Sequence, residues 1–127
     1  MPQNSKFAVE LLTNSIIQIK IFPGTDIDAE DASEMRKVVL QLADGGKYAI
    51  FLDATEMFNI SDDARKLIAS IENGSQRIAI GVYIKSLANK LIGNFFIKVN
   101  KPNSPTKLFS TRESALEWLN QEVERSK

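Results

Sequence analysis

Apolar positions along this chain alternate between short continuous runs and helical stripes. Phe7 to Leu12 and Ile16 to Phe22 are β-rich runs separated by Thr13-Asn14-Ser15, a spacing that predicts an antiparallel hairpin. Pro23-Gly24 ends the second run. Asp26 or Asp28 is then placed to cap a helix whose Ala32, Met35, Val38, Val39 and Leu42 form one apolar stripe, and Asp44-Gly45-Gly46 stops it. Tyr48 to Asp53 follows as the central strand.

A polar loop leads from that strand to Ser61-Asp62-Asp63-Ala64, the start of a second helix to about Glu72, with Ala64, Leu67, Ile68 and Ile71 as its apolar positions. Asn73-Gly74 ends it. Arg77 to Ile84 is an apolar run short enough to be a buried strand. Ser86 caps a third helix reaching about Lys98, whose Leu87, Ala88, Leu91, Ile92, Phe95 and Val99 are expected to face the sheet. Phe96 and Ile97 widen that stripe beyond one face. Beyond a loop marked by Pro102, Asn103 and Pro105, Lys107 to Phe109 is a short strand. Ser110-Thr111-Arg112-Glu113 then reads as a capping box for a last helix carrying Ala115, Leu116, Trp118, Leu119 and Val123.

The order β-β-α-β-α-β-α-β-α predicts an α/β fold, with right-handed crossovers and a five-stranded, mostly parallel sheet. The hairpin supplies one antiparallel edge strand, and four helices cover the sheet. No repeat or linker interrupts residues 1–127, which read as a single domain.

Composition narrows the chemistry. Sixteen basic and sixteen acidic residues cancel, so the broad positive field that drives nucleic-acid binding is missing. Cysteine and histidine are both absent, which excludes thiol nucleophiles, histidine-based triads and the usual structural zinc sites. No segment has the apolar length of a membrane span or the h-region of a secretory signal, so a cytoplasmic location is expected. Charge is nevertheless segregated along the chain. Acids crowd Asp26 to Asp63, whereas Asn73 to Arg112 carries Arg77, Lys85, Lys90, Lys98, Lys101, Lys107 and Arg112 without an acid.

The element order, the central strand ending in Leu52-Asp53 and the polar loop before the second helix resemble the SpoIIAA-like fold of STAS domains, the anti-sigma-factor antagonist family. The stretch Lys101-Pro102 to Pro105-Thr106-Lys107-Leu108-Phe109, with Glu113, Ala115, Leu116 and Trp118-Leu119 after it, is similar to small bacterial SpoIIAA-like proteins of unknown function. In regulatory STAS domains the helix after the central strand opens with Asp-Ser-Ser-Gly, and phosphorylation of the second serine breaks partner binding. Aligned from Leu52-Asp53, this chain has Ser61, Asp62, Asp63 and Ala64 there. Asp63 stands at the serine and Ala64 at the glycine, so the resemblance implies the fold without the phosphorylatable switch.

Two candidate surfaces follow. Asp53, Thr55, Glu56, Met57, Phe58, Ser61, Asp62 and Asp63 lie at or beyond the carboxyl end of a parallel strand, where open α/β sheets present ligand contacts. Helix capping explains Ser61, Asp62 and Asp63 structurally; the same residues offer an acidic docking face, and Ser61 a hydroxyl for a kinase. Met57, Phe58 and Ile60 either fold back over the core or form an apolar patch. The second candidate is Leu91, Phe95, Phe96 and Ile97, which suit core packing, a homodimer face or the wall of an apolar pocket.

The leading expectation is a non-enzymatic, STAS-like protein-interaction module that uses no cofactor or metal and binds a protein partner. The alternative is a carrier or sensor of an apolar small molecule, since lipid-binding CRAL-TRIO domains look similar in architecture. Catalysis by Asp53 and Glu56 ranks third, because no spaced nucleophile, phosphate loop or third ligand accompanies them.

Overall fold

The structure, a computed structural model, describes residues 5–70 and 76–127. Its elements are β1 (Phe7–Leu11), β2 (Ile16–Ile21), β3 (Asp26–Ile27), α1 (Ala29–Ala43), β4 (Tyr48–Asp53), β5 (Asn59–Ile60), α2 (Asp62–Ala69), β6 (Arg77–Tyr83), α3 (Leu87–Phe95), β7 (Thr106–Phe109) and α4 (Arg112–Arg125). A π-helical turn, Phe96–Asn100, continues α3. Five strands form the main sheet in the order β1-β2-β4-β6-β7. Only the β1–β2 pair is antiparallel. The expected architecture is therefore present, with the hairpin at one edge.

Local chemistry explains the hairpin. Asn14 and Ser15 both have positive φ, 58° and 62°, the geometry of a type I′ turn whose twist matches that of its strands. Alternation along the buried strands then divides the side chains between two cores. Ile17, Ile19, Ile50, Ile80 and Val82 pack with Met35 and Val39 of α1, Ala64 and Ala69 of α2, and Phe96. On the opposite face Ile16, Ala49, Phe51 and Ala79 meet Ala115, Leu119 and Val123 of α4. One helix covers that face, and small residues beneath it let it sit close. At Gly81 a Cβ would come within 3.1 Å of the Leu119 side chain.

The short parallel pair β3–β5 is additional to the expected elements. It joins the segment after β2 to the segment after β4. Asp26 belongs to this pair, accepting from Asn59 Nδ2 at 2.9 Å, so the cap of α1 falls to Asp28. Asp28 Oδ1 accepts from Asp31 N at 2.9 Å, and Asp31 Oδ2 accepts in return from Asp28 N at 3.0 Å. Lys6 Nζ lies 2.8 Å from the same Asp31 carboxylate. Burial acts to raise the Asp31 pKa, but the Asp28 amide and Lys6 outweigh it and hold the carboxyl below its ordinary value.

Two boundaries differ from expectation. The cap of α4 is Thr111 rather than Ser110: Thr111 Oγ1 accepts from Ser114 N at 3.2 Å, so Ser114 takes the place assigned to Glu113. Helix α2 ends at Ala69, with Ser70 in an extended conformation; Ile71, Glu72 and Asn73-Gly74 lie outside the described residues. Arginines from two other elements meet the carbonyls at this helix end. Arg77 donates to Ile68 O at 2.6 Å, Ala69 O at 2.9 Å and Ser104 Oγ at 2.7 Å. Arg36 donates to Leu67 O and, at 3.1 Å, to Ser70 O. The last carbonyls of a helix are unpaired and carry its negative pole, so cations suit them. Burial, with a smaller push from Arg36 against an opposing pull from Tyr48, lowers Arg77 to about 10. It remains charged at neutral pH.

Because Arg77 is the more buried of the two, Arg77→Met should lower unfolding free energy by about 3 kcal/mol, the scale of lost hydrogen bonds to a charged donor. Arg36→Met should cost about 1 kcal/mol. Urea unfolding of both variants checks the ordering, which reverses if Arg77 does not anchor the helix end.

Candidate functional site

Beyond β4 the chain turns at once. Asp53 is 8% exposed, and its Oδ1 accepts from Thr55 N at 3.2 Å and Thr55 Oγ1 at 2.8 Å. An aspartate bonded to the backbone two residues ahead builds a local turn. Asp53 and Thr55 are thus positioning residues, not part of the presented face.

The rest of the loop is fixed from three sides. Asn89 of α3, 3% exposed, donates from one amide nitrogen to Ala54 O at 2.6 Å and Glu56 O at 2.8 Å. Gly24 N donates to Met57 O at 2.7 Å, and Ser61 N to Ile27 O at 3.0 Å. Phe58 turns inward and joins the core at 8% exposure, which removes it from the expected docking residues. Glu56 and Met57 stay outside, Met57 at 58%.

Helix α2 opens as expected. Ser61 is the N-cap, its Oγ accepting from Ala64 N at 3.1 Å. Asp62 sits 3.0 Å from Lys66 Nζ and 3.5 Å from Arg65, and accepts from Asn100 Nδ2 at 3.3 Å. The Lys66 hydrogen bond, then that of Asn100, hold the Asp62 carboxyl below its ordinary 3.8. Asp63 is exposed on the same turn. Glu56, Met57, Asp62 and Asp63 therefore share a surface that is anchored from beneath.

The expectation for α3 is overturned. Leu87, Leu91, Phe95 and Val99 are 72%, 63%, 44% and 56% exposed, and Ala88 is exposed too. Asn89, Gly93 and Phe96 occupy the inner side instead. At Gly93 a Cβ would lie 2.8 Å from Leu108 Cδ2, so the glycine lets the helix lie close to the sheet. Leu91, Phe95, Phe96 and Ile97 consequently do not converge: two point out, Phe96 is buried and Ile97 is half-buried. Arg65 lies over the Phe95 ring, 5.1 Å from its centroid.

Beneath α3 there is a cavity of about 40 Å³ bordered by Leu52, Phe58, Val82, Asn89, Ile92 and Phe96. A second, of about 60 Å³, lies between α1 and the sheet beside Arg36 and Arg77. Each has room for a few waters, whereas pockets for small organic ligands begin at about 300 Å³. Among the described residues, no cluster of three or more carboxylates is placed to hold a metal ion, and no helix is long and apolar enough to cross a membrane.

Residues 10–123 match the domain of unknown function DUF7793. The chain belongs to this family. The DUF7793 fold is SpoIIAA-like: a crystal structure of an uncharacterised protein of the DUF3478 family from Shewanella loihica PV-4, itself described as SpoIIAA-like, superposes with a TM-score of 0.64. That match covers 94% of this chain and 98% of the other at 16% identity. A protein of unknown function from Arthrobacter sp. FB24 aligns at 22% identity over 89% of this chain and 92% of the other, with a TM-score of 0.33. No curated protein matches this DUF7793 chain.

Asn89 is the site residue that sequence patterning misses, although an asparagine near the start of a largely apolar helix is its signal. Asn89→Ala should cost about 2 kcal/mol, since it strands two buried carbonyls, and hydrogen exchange should quicken at amides 54–58. Unchanged exchange there would show that the loop holds itself. Because the folded-state pKa of Asp62 is depressed, its contribution to stability is present above pH 3.8 and lost as pH falls through the lower folded value. Asp62→Asn should accordingly flatten the acid limb of the stability curve, measured by thermal melts across that range.

Proposed function

We propose that this DUF7793 chain is a non-enzymatic protein-interaction module that docks a partner through Glu56, Met57, Asp62 and Asp63. The observation that carries this reading is a loop and helix start whose backbone is tied at Ala54, Glu56, Met57 and Ser61 yet leaves three acids and a methionine facing solvent. Ordering such a loop beforehand lowers the entropic cost of binding. The partner that fits is a protein surface with cationic groups around an apolar recess able to take Met57.

Regulation by phosphorylation of the second serine of the Asp-Ser-Ser-Gly motif does not carry over, since Asp63 holds a permanent charge there. The module is read as a constitutive docking element, distinct from the reversible members of the fold. Small-molecule carriage receives no support from cavities of about 40 and 60 Å³, so docking is the reading adopted.

The test is affinity capture from a native extract with wild type and a Glu56→Lys/Met57→Ser/Asp63→Lys variant. These side chains are exposed, so the variant should melt within a few degrees of wild type. A partner recovered by wild type should fall at least tenfold with the variant. Equal recovery of every captured protein would refute the assignment.

A further inference from the structure

Leu87, Leu91, Phe95 and Val99 recur every fourth residue and form one exposed ridge along α3 and its π-helical extension. Among the described residues the remaining exposed large hydrophobics are Leu11 and Met57. Lys85, Lys90, Lys98 and Lys101 accompany the ridge and are exposed. None of the four makes an ion pair with another described residue. On the neighbouring helix, Asp62 is paired with Lys66 and Arg65, leaving Asp63 as the acid of that turn with no ion pair among the described residues.

This distribution decides among occupants. A second copy would bring α3 against α3, apposing lysines of like charge. Among the described residues it has no other exposed apolar ridge to offer in exchange, because the remaining exposed large hydrophobics outside α3 are single residues on separate segments. A covering surface must therefore be apolar and anionic together. A convex helix with leucine, phenylalanine and valine along one line and unpaired lysines beside them is the pattern of a helix lying in the interface of an anionic bilayer. We propose that α3 docks this protein on anionic membrane surfaces, with Leu87, Leu91, Phe95 and Val99 entering the headgroup–acyl boundary and Lys90, Lys98 and Lys101 meeting lipid phosphates. This surface adjoins the Glu56–Asp63 docking face where Asn100 meets Asp62 but uses different residues, and either assignment can fail without the other.

The experiment is flotation of the full chain with large unilamellar vesicles of phosphatidylcholine alone or with about 30% phosphatidylserine. Wild type should float with the anionic vesicles, at least tenfold more than with the neutral ones, and release as salt is raised. Leu91→Ser/Phe95→Ser and Lys90→Glu/Lys98→Glu should each reduce flotation at least tenfold while keeping the wild-type melting temperature. The Glu56→Lys/Met57→Ser/Asp63→Lys variant, which keeps the ridge, should still float. Absence of wild-type flotation would overturn the proposal. So would flotation that survives both ridge variants, or a dimer in sedimentation velocity that Leu91→Ser/Phe95→Ser abolishes.

Discussion

The pair of hydrogen bonds from Asn89 to the carbonyls of Ala54 and Glu56 sets how α3 lies, and both candidate surfaces follow from that. Where the chain leaves β4, these two carbonyls come under a helix and out of reach of sheet partners. A buried carbonyl without a donor costs about 1–3 kcal/mol, so the helix must bring one. Only Asn89 and Gly93 on that side satisfy the two demands at once, a donor for the loop and room for Leu108. Placing them inward forces the residues half a turn away outward. Those residues are Leu87, Leu91 and Phe95.

The same orientation steadies the acidic surface. Asn89 holds the loop from one side while the β3–β5 pair holds it from the other, and Arg77 and Arg36 fix the far end of α2. Helix α2 has eight residues, too few to persist on its own propensity. Its stability comes from both ends: Ser61 and the first-turn acids at the amino end, the two arginines at the carboxyl end. Charge placement thus matches the helix dipole at each terminus, and the carboxylates proposed to meet a partner also stabilise the helix that presents them.

Much of this was legible in the residues themselves. Period-two and short continuous apolar runs mark the five main strands, and the capping serines Ser61 and Ser86 stand where the sequence places them, because these signals depend on local chemistry. The features that escaped are non-local. β3 and β5 are two residues long and exist by pairing across a long separation in sequence. The end of α2 is set by arginines at positions 36 and 77, which no local window around Ala69 contains together. The orientation of α3 is not legible in the sequence, because hydrophobic periodicity finds a stripe without saying what it faces. Its ridge has the spacing of a core stripe, and only the demand of two distant carbonyls turns it to solvent.

A comparison with the reversible members of the fold sharpens what the acidic helix start does. A phosphoserine at the position of Asp63 would add nearly two negative charges that come and go. Asp63 supplies one that stays. On a helix N-terminus a single carboxylate stabilises by about 0.3–1 kcal/mol, enough to favour the helix and too little to drive a partner on or off. On the proposed reading the difference in charge separates two uses of one scaffold: the regulatory STAS domains that this chain resembles change binding by modification, and this chain would hold one surface of constant charge. Its binding would then depend on the partners and surfaces it meets, consistent with a loop locked by backbone hydrogen bonds instead of one free to rearrange.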